Sequence, residues 1–174
     1  MATVTKSIGT NSRDYSTISA WEADLSNAGI YSSGDQAVGE CYSDGVFDES
    51  FDIDDTGPAF GLTSITLKAN SAHKHDGTPD SGVKISYTGS FSTYSPIFKV
   101  SYDQGTYGSN LVKIEDLEFA DITISTDTNV AIIGLGVSCT IMSRCLINNI
   151  VHAGAGNKTF YVFGTTTTNG STIQ

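Results

Sequence analysis

Four apolar positions recur at a single interval. Ile114, Leu117, Phe119 and Ile122 are echoed by Met142, Cys145, Ile147 and Ile150, each at an offset of 28 residues. An interval in the range of about 20–50 residues is the signature of stacked repeats. One such unit cannot bury its own apolar face, so it is stable only against copies of itself. Between the two copies lie the strand-like pieces Val130-Ala131-Ile132-Ile133 and Leu135-Gly136-Val137. The pattern predicts an all-β solenoid of short parallel strands. A sandwich or jelly roll is the competing all-β reading.

Composition agrees with short strands joined by turns. The chain has 174 residues, enough for one sizeable core, with 18 glycines, 3 prolines and 16% charged residues, too few charges for a disordered chain. Residues 1–13 are polar and read as an N-terminal arm, leaving 14–174 as one capped domain. Ile18, Trp21 and Leu25 fall on one helical face, Ser16 or Thr17 can cap its start, and Asn27 to Gly29 can stop it. This helix is expected to plug the first turn of the stack. Strands are expected at Ala37–Tyr42, around Phe51 and Ile53, at Ser64–Ala69, Val83–Tyr87 and Ile97–Tyr102, and at Phe160–Phe163, with turns at 70–82 and 105–110. No capping element is evident over 165–174. That points either to a fragment of a longer solenoid or to a partner covering the last turn.

Several function classes are excluded. The net charge is −10 and nine basic residues are scattered singly, so there is no basic face for nucleic acid or for an anionic membrane. No apolar run approaches the roughly 20 residues needed to span a bilayer. Met1 to Thr10 lacks a secretory-type apolar core, which predicts a chain not exported by a cleaved signal. Virus particles released by lysis carry no such signal either. Three cysteines, Cys41, Cys139 and Cys145, show no CxxC spacing; Cys139 and Cys145 read as buried free thiols.

Two stretches carry a resemblance. One is Ile8-Gly9-Thr10 followed by Arg13-Asp14-Tyr15-Ser16-Thr17-Ile18 and Ala20-Trp21-Glu22, leading to Gly39-Glu40-Cys41-Tyr42. The other is Ile65-Thr66-Leu67-Lys68-Ala69 leading to His73-Lys74-His75-Asp76-Gly77-Thr78. Together, over roughly residues 8–150, they resemble the N-terminal region of right-handed parallel β-helix, pectate-lyase-like proteins of bacteriophage and environmental viral sequences. The resemblance implies a right-handed β-helix with an N-terminal capping helix. It also implies a virion-associated structural protein, trimeric when it forms a fibre or spike. Enzymes of this fold carry catalytic acids on later turns, so no catalytic residue is transferred.

Four constellations could carry chemistry, and each has a plainer reading. His73, His75 and Asp76 form an H-x-H-D cluster able to approach a metal, but Asp76-Gly77 and Pro79-Asp80 are ordinary turn chemistry. Asp44, Asp48, Glu49, Asp52, Asp54 and Asp55 could hold calcium, but their spacing is not that of an EF-hand and a solvated face is favoured. Asp116, Glu118 and Asp121 could pair across a sugar only if they point outward, as Glu118 between Leu117 and Phe119 is expected to do. Tyr87, Tyr94, Tyr102 and Tyr107 could form a strip for a partner subunit or a glycan. Trp21 is core rather than a sugar platform, and the sequons at Asn157 and Asn169 are chance matches without export.

The expected function is therefore a non-enzymatic virion component: a capsid decoration, fibre or tail-associated subunit. It would assemble with other virion proteins or with copies of itself, and no cofactor, metal or catalytic residue is assigned. The alternatives are a carbohydrate-active β-helix (polysaccharide lyase, hydrolase or glycan binder) and a bacterial surface adhesin, located outside the cell or on its surface.

Overall fold

A computed structural model describes residues 1–53, 61–89, 97–100, 111–124, 130–135, 140–153, 160–165 and 172–173. The fold is all-β, and among the described residues every strand pairing is parallel. The strands are β1 (Thr3–Ile8), β2 (Gln36–Cys41), β3 (Phe47–Asp48), β4 (Phe51–Ile53), β5 (Ser64–Ala69), β6 (Lys84–Tyr87), β7 (Phe98–Val100) and β8 (Leu111–Glu115). They continue as β9 (Glu118–Ile124), β10 (Val130–Leu135), β11 (Thr140–Ser143), β12 (Leu146–His152), β13 (Phe160–Thr165) and β14 (Thr172–Ile173).

These strands form three sheets. Sheet A has the order β1-β2-β5-β8-β11-β14, sheet B has β12-β9-β6-β3, and sheet C has β13-β10-β7-β4. From β2 onward the chain visits A, B and C in strict rotation and returns to A beside the strand it left. Parallel neighbours need long connections, and here each connection is itself the strands of the other two sheets. The 28-residue echo is the register of two of them. Met142 lies opposite Ile114 in sheet A, and Ile147 and Ile150 lie opposite Phe119 and Ile122 in sheet B.

The core runs between the sheets. Ile65, Leu67, Ile85, Ile114, Leu117, Phe119 and Ile122 are all buried. Phe98 of sheet C stacks on its register partner Phe51 at 5.3 Å and meets Phe119 of sheet B at 5.0 Å. Rings at such separations add attraction beyond the area they bury.

The apolar alternation skips by three at two places per repeat, and left-handed residues explain both. Asp116 sits between Ile114 and Leu117 with φ 60°, and Asp121 sits between Phe119 and Ile122 with φ 56°. Their counterparts Arg144 and Asn149 have φ 51° and 47°. A single left-handed residue turns the chain and restores the inward phase. Asp and Asn tolerate that conformation better than most residues. Equivalent corners are also bonded. Arg144 donates to both Asp116 oxygens at 2.8 and 2.9 Å, and Asn149 Nδ2 donates to Asp121 Oδ1 at 2.6 Å.

Between β1 and β2, α1 (Ile18–Ala23) runs into a 3-10 turn at Asp24–Ser26. Thr17 is the cap: its hydroxyl accepts from Ala20 N at 3.1 Å. Ile18, Trp21 and Leu25 are buried as their spacing predicted, and Trp21 Nε1 donates to the buried Tyr31 hydroxyl at 3.0 Å. The helix packs against β4 and β1. Residues 1–13, expected as a polar arm, contain β1, which pairs with β2 from Thr3 opposite Gln36 to Ile8 opposite Cys41. That short alternating stretch is held by backbone ladder bonds more than by apolar burial, which is why its polarity concealed it. The expected turn at 105–110 lies outside the described residues.

The indole of Trp21 lies flat on Gly39, where an added Cβ would come within 2.8–2.9 Å of Cε2, Cδ2 and Cζ2. Gly39→Ala is expected to cost about 1–3 kcal/mol through overpacking, read as a lower denaturation midpoint together with altered tryptophan fluorescence. At the corner, Asn149→Ala combines a strained left-handed alanine with a lost bond and is expected to cost about 1–2 kcal/mol. Asn149→Gly should cost less, because glycine accepts that backbone conformation. Equal losses for the two variants in chemical denaturation would contradict the left-handed-corner account.

Candidate functional site

A polar cluster lies where sheets A and B meet, at the corners that carry the chain from one to the other. The connection from β5 to β6, residues 70–83, is the longest there. The corners on the later turns, Asp116-Leu117 and Arg144-Cys145, are tight. The long connection folds back as a strap. His73 N donates to Asn70 O at 2.8 Å, and Val83 N donates to His73 O at 3.0 Å. Asp76 accepts from the Thr78 amide and hydroxyl, and Ser81 Oγ donates to Thr78 O at 2.7 Å. Gly82 crosses so near the His75 backbone that a Cβ there would clash with His75 N.

The strap covers Glu118. This residue was expected to point outward into solvent; its side chain is instead fully buried. The Asp80 amide donates to its two oxygens at 3.1 and 3.0 Å, and Asn148 Nδ2 donates at 2.6 Å. Beside it, Lys84 Nζ bridges Asp80 at 2.6 Å and Asp121 at 2.7 Å, and these contacts raise its pKa. A shallow groove of about 340 Å³ runs between the Ser43–Val46 turn and the strap, with Lys84 in its lining.

The sequence-predicted acids are drawn to different partners. Asp116 faces Arg144, Asp121 faces Lys84 and Asn149, and Glu118 faces the strap amide and Asn148. The acidic stretch is likewise committed to holding structure. Asp44 pairs with Arg13 at 2.8 Å, and that guanidinium also lies 3.6 Å over the Tyr42 ring. Asp48 accepts from Thr88 N and Oγ1, and Asp52 pairs with its register partner Lys99. Glu49 holds the first turn of α1, accepting from Ile18 N, Ser19 N and Ser19 Oγ. Asp54 and Asp55 lie outside the described residues.

His73 and His75 diverge instead of converging on one point. His73 Nδ1 faces Ser43, 2.8 Å from its hydroxyl, while His75 Nε2 lies 2.8 Å from Arg144 O. Among the described residues no group of three or more His, Cys, Asp or Glu side chains is placed to hold a metal ion. Tyr87 is half-buried against the core, while Tyr94, Tyr102, Tyr107, Cys139 and both sequons lie outside the described residues. Cys41 is buried, and burial pushes the half-buried Cys145 thiol up to about 11. No described helix is long and apolar enough to cross a membrane.

The role of the 70–82 segment as a cover was not legible in the sequence, where it reads only as polar turns. Its one signal is the order of the turn residues Asp76-Gly77 and Pro79-Asp80, which fold the segment back on itself.

The corner carboxylates set an acid limit. The Arg144 guanidinium holds Asp116 below the usual carboxylate range, Lys84 and then Asn149 do so for Asp121, and Arg13 for Asp44. The Thr78 hydroxyl and amide bring Asp76 down to about 2. A folded-state pKa below the unfolded value contributes stability that is complete above the unfolded value and is lost as pH falls through the folded one. The urea midpoint is therefore expected to fall from about pH 4 toward about pH 2, with these groups contributing no slope above about pH 5. No protein-family model, curated protein or solved structure matches this chain at significant similarity.

Proposed function

We propose that the chain is a non-enzymatic structural subunit of a virus particle, built as a right-handed parallel β-helix and acting through protein–protein assembly. The observation that carries this reading is how the outward polar groups are used. Side chains with catalytic or ligating potential are bonded from one turn to the equivalent place on the next. Glu40 pairs with its register partner Lys68, Asp52 with Lys99, Asp116 with Arg144, and Asp121 with Asn149. Such ladders stiffen a stack and leave its chemistry spent on its own structure. The virion assignment rests on the resemblance in the Ile8–Tyr42 and Ile65–Thr78 stretches.

The rotation through three parallel sheets supports the β-helix. α1 lies against the starting strands β1 and β4. At the far side, β12, β13 and β14 are the last strands of their sheets among the described residues. Strand edges are natural pairing surfaces, and they suit copies of the chain, as in a trimer, or a neighbouring virion protein. A second reading, a glycan-binding or carbohydrate-active protein, draws on the polar groove beside Lys84 and Asp80.

Light scattering on the size-separated chain, followed by sedimentation with purified particles, tests the assembly reading. A stable oligomer or co-sedimentation is expected. A chain that stays monomeric and does not sediment with particles would overturn it. Turnover of any member of a broad polysaccharide panel would move the assignment to the second reading.

A further inference from the structure

The turn that holds β11 and β12 repeats the one before it on the inside and departs from it on the outside. Met142, Ile147 and Ile150 take the inward places of Ile114, Phe119 and Ile122. The acids of the earlier turn are not repeated. Glu115, Asp116, Glu118 and Asp121 give way, 28 residues later, to Ser143, Arg144, Leu146 and Asn149. In each ladder pair the acid belongs to the earlier turn and its partner to the later one: Glu40 with Lys68, Asp52 with Lys99, Asp116 with Arg144, Asp121 with Asn149. Arg144 and Asn149 therefore bond back, and this turn offers no carboxylate forward.

The charge is distributed along the stack in the same sense. None of the 19 Asp and Glu residues lies beyond Asp127. Residues 1–53, which hold β1 to β4 and α1, carry nine of them against Lys6 and Arg13 alone. One end is thus strongly acidic and the other free of acids.

The acid-free end is also where the apolar interior is open. Met142, opposite Ile173 of β14, is buried. In sheet B, β12 is the last strand among the described residues. Its inward side chains Ile147 and Ile150, and Cys145 at the corner before it, are only half-buried, whereas their counterparts Phe119, Ile122 and Leu117 are fully buried. Val151 is exposed beside them where the earlier turn has Thr123.

We propose that this end is a self-association surface, where two copies meet across a two-fold axis and bury Cys145, Ile147 and Ile150 between them. A patch that meets its own copy closes at two. Two chains of net charge −10 repel, and this orientation sets their acidic first turns furthest apart. A head-to-tail arrangement would bring an acidic first turn onto the open face. That turn is covered by α1, whose Ile18, Trp21 and the following Leu25 are buried inward, so it presents no matching apolar surface. The proposal rests on the assembly reading, but not on the virion assignment.

Sedimentation velocity of the intact chain, from about 1 to about 200 μM, tests the surface. A reversible monomer–dimer equilibrium that stops at two is expected, with its midpoint in about the micromolar range suited to a small interface. Maleimide labelling at both ends of that range is read on tryptic peptides, where cleavage after Arg144 separates Cys145 from Cys139. Cys145 is expected to label about 10-fold more slowly where the dimer prevails. Ile147→Asp, which puts a charge on the open face, should weaken the dimer at least about 10-fold. Ala20→Asp, on the exposed side of α1, should leave it unchanged. A monomer throughout, a trimer, an open-ended polymer, unchanged Cys145 labelling, or equal losses in the two variants would each overturn the proposal. A trimer or polymer would leave the assembly reading standing, and for a monomer the sedimentation with particles decides that reading separately. If Ile147→Asp fails to fold, the labelling of the wild-type chain still decides the matter.

Discussion

The structure depends on one constraint: each strand must pair in parallel with the strand at the equivalent place on the next turn. Parallel pairing with short connections is impossible, so the chain completes a circuit through the other two sheets before it returns. The circuit makes register a matter of exact length. Between the strands that hold Ile114 and Met142, 28 residues separate partners, and the same count separates Phe119 from Ile147. A slip of one residue would turn every inward side chain outward. Circuits elsewhere differ in length, as where Phe98 pairs with Phe51, and the excess is taken up in connections and leaves strand phase intact.

Corners are where that constraint is most exposed. A strand that bends without losing phase needs a residue that breaks the alternation, and Asp116, Asp121, Arg144 and Asn149 do so in the left-handed region. Arg144 is the least suited of the four to that backbone, and its guanidinium is gripped at two points by Asp116. The strain of one turn is thus offset by a bond to the previous one. The ladders of charge and amide on the outside follow the same rule as the apolar stacks within.

The strap between β5 and β6 is the exception to the repeating pattern, and the most individual feature of the molecule. It reaches Arg144 O through His75, and it buries a carboxylate that the alternation pattern would have left wet. Glu118 is tolerated there because the Asp80 amide and the Asn148 side chain bond to its oxygens. A buried charge without such partners would be strongly destabilising.

Much of the fold was legible from residue types and spacing. The strands at Ser64–Ala69 and Val83–Tyr87, the buried face of Ile18, Trp21 and Leu25, and the 28-residue register follow from periodicities of two, 3.6 and one circuit, each a local consequence of where apolar side chains must point. The skips of three at Asp116 and Asp121 were also on view in the sequence, although their left-handed backbone emerged only in the folded chain. The candidate site was not legible. That Glu118 lies under Asp80, that His75 reaches Arg144, and that Asp44 turns to Arg13 depend on which corners stack above one another. Those are contacts between residues 31 to 69 positions apart, and no local pattern encodes them. The sequence by itself determined the short strands and their inward faces, because burial acts on each short segment. Only the tertiary structure decided which polar side chains would be spent on the stack and which would be covered, because hydrogen-bond partners are chosen by proximity after the circuits close.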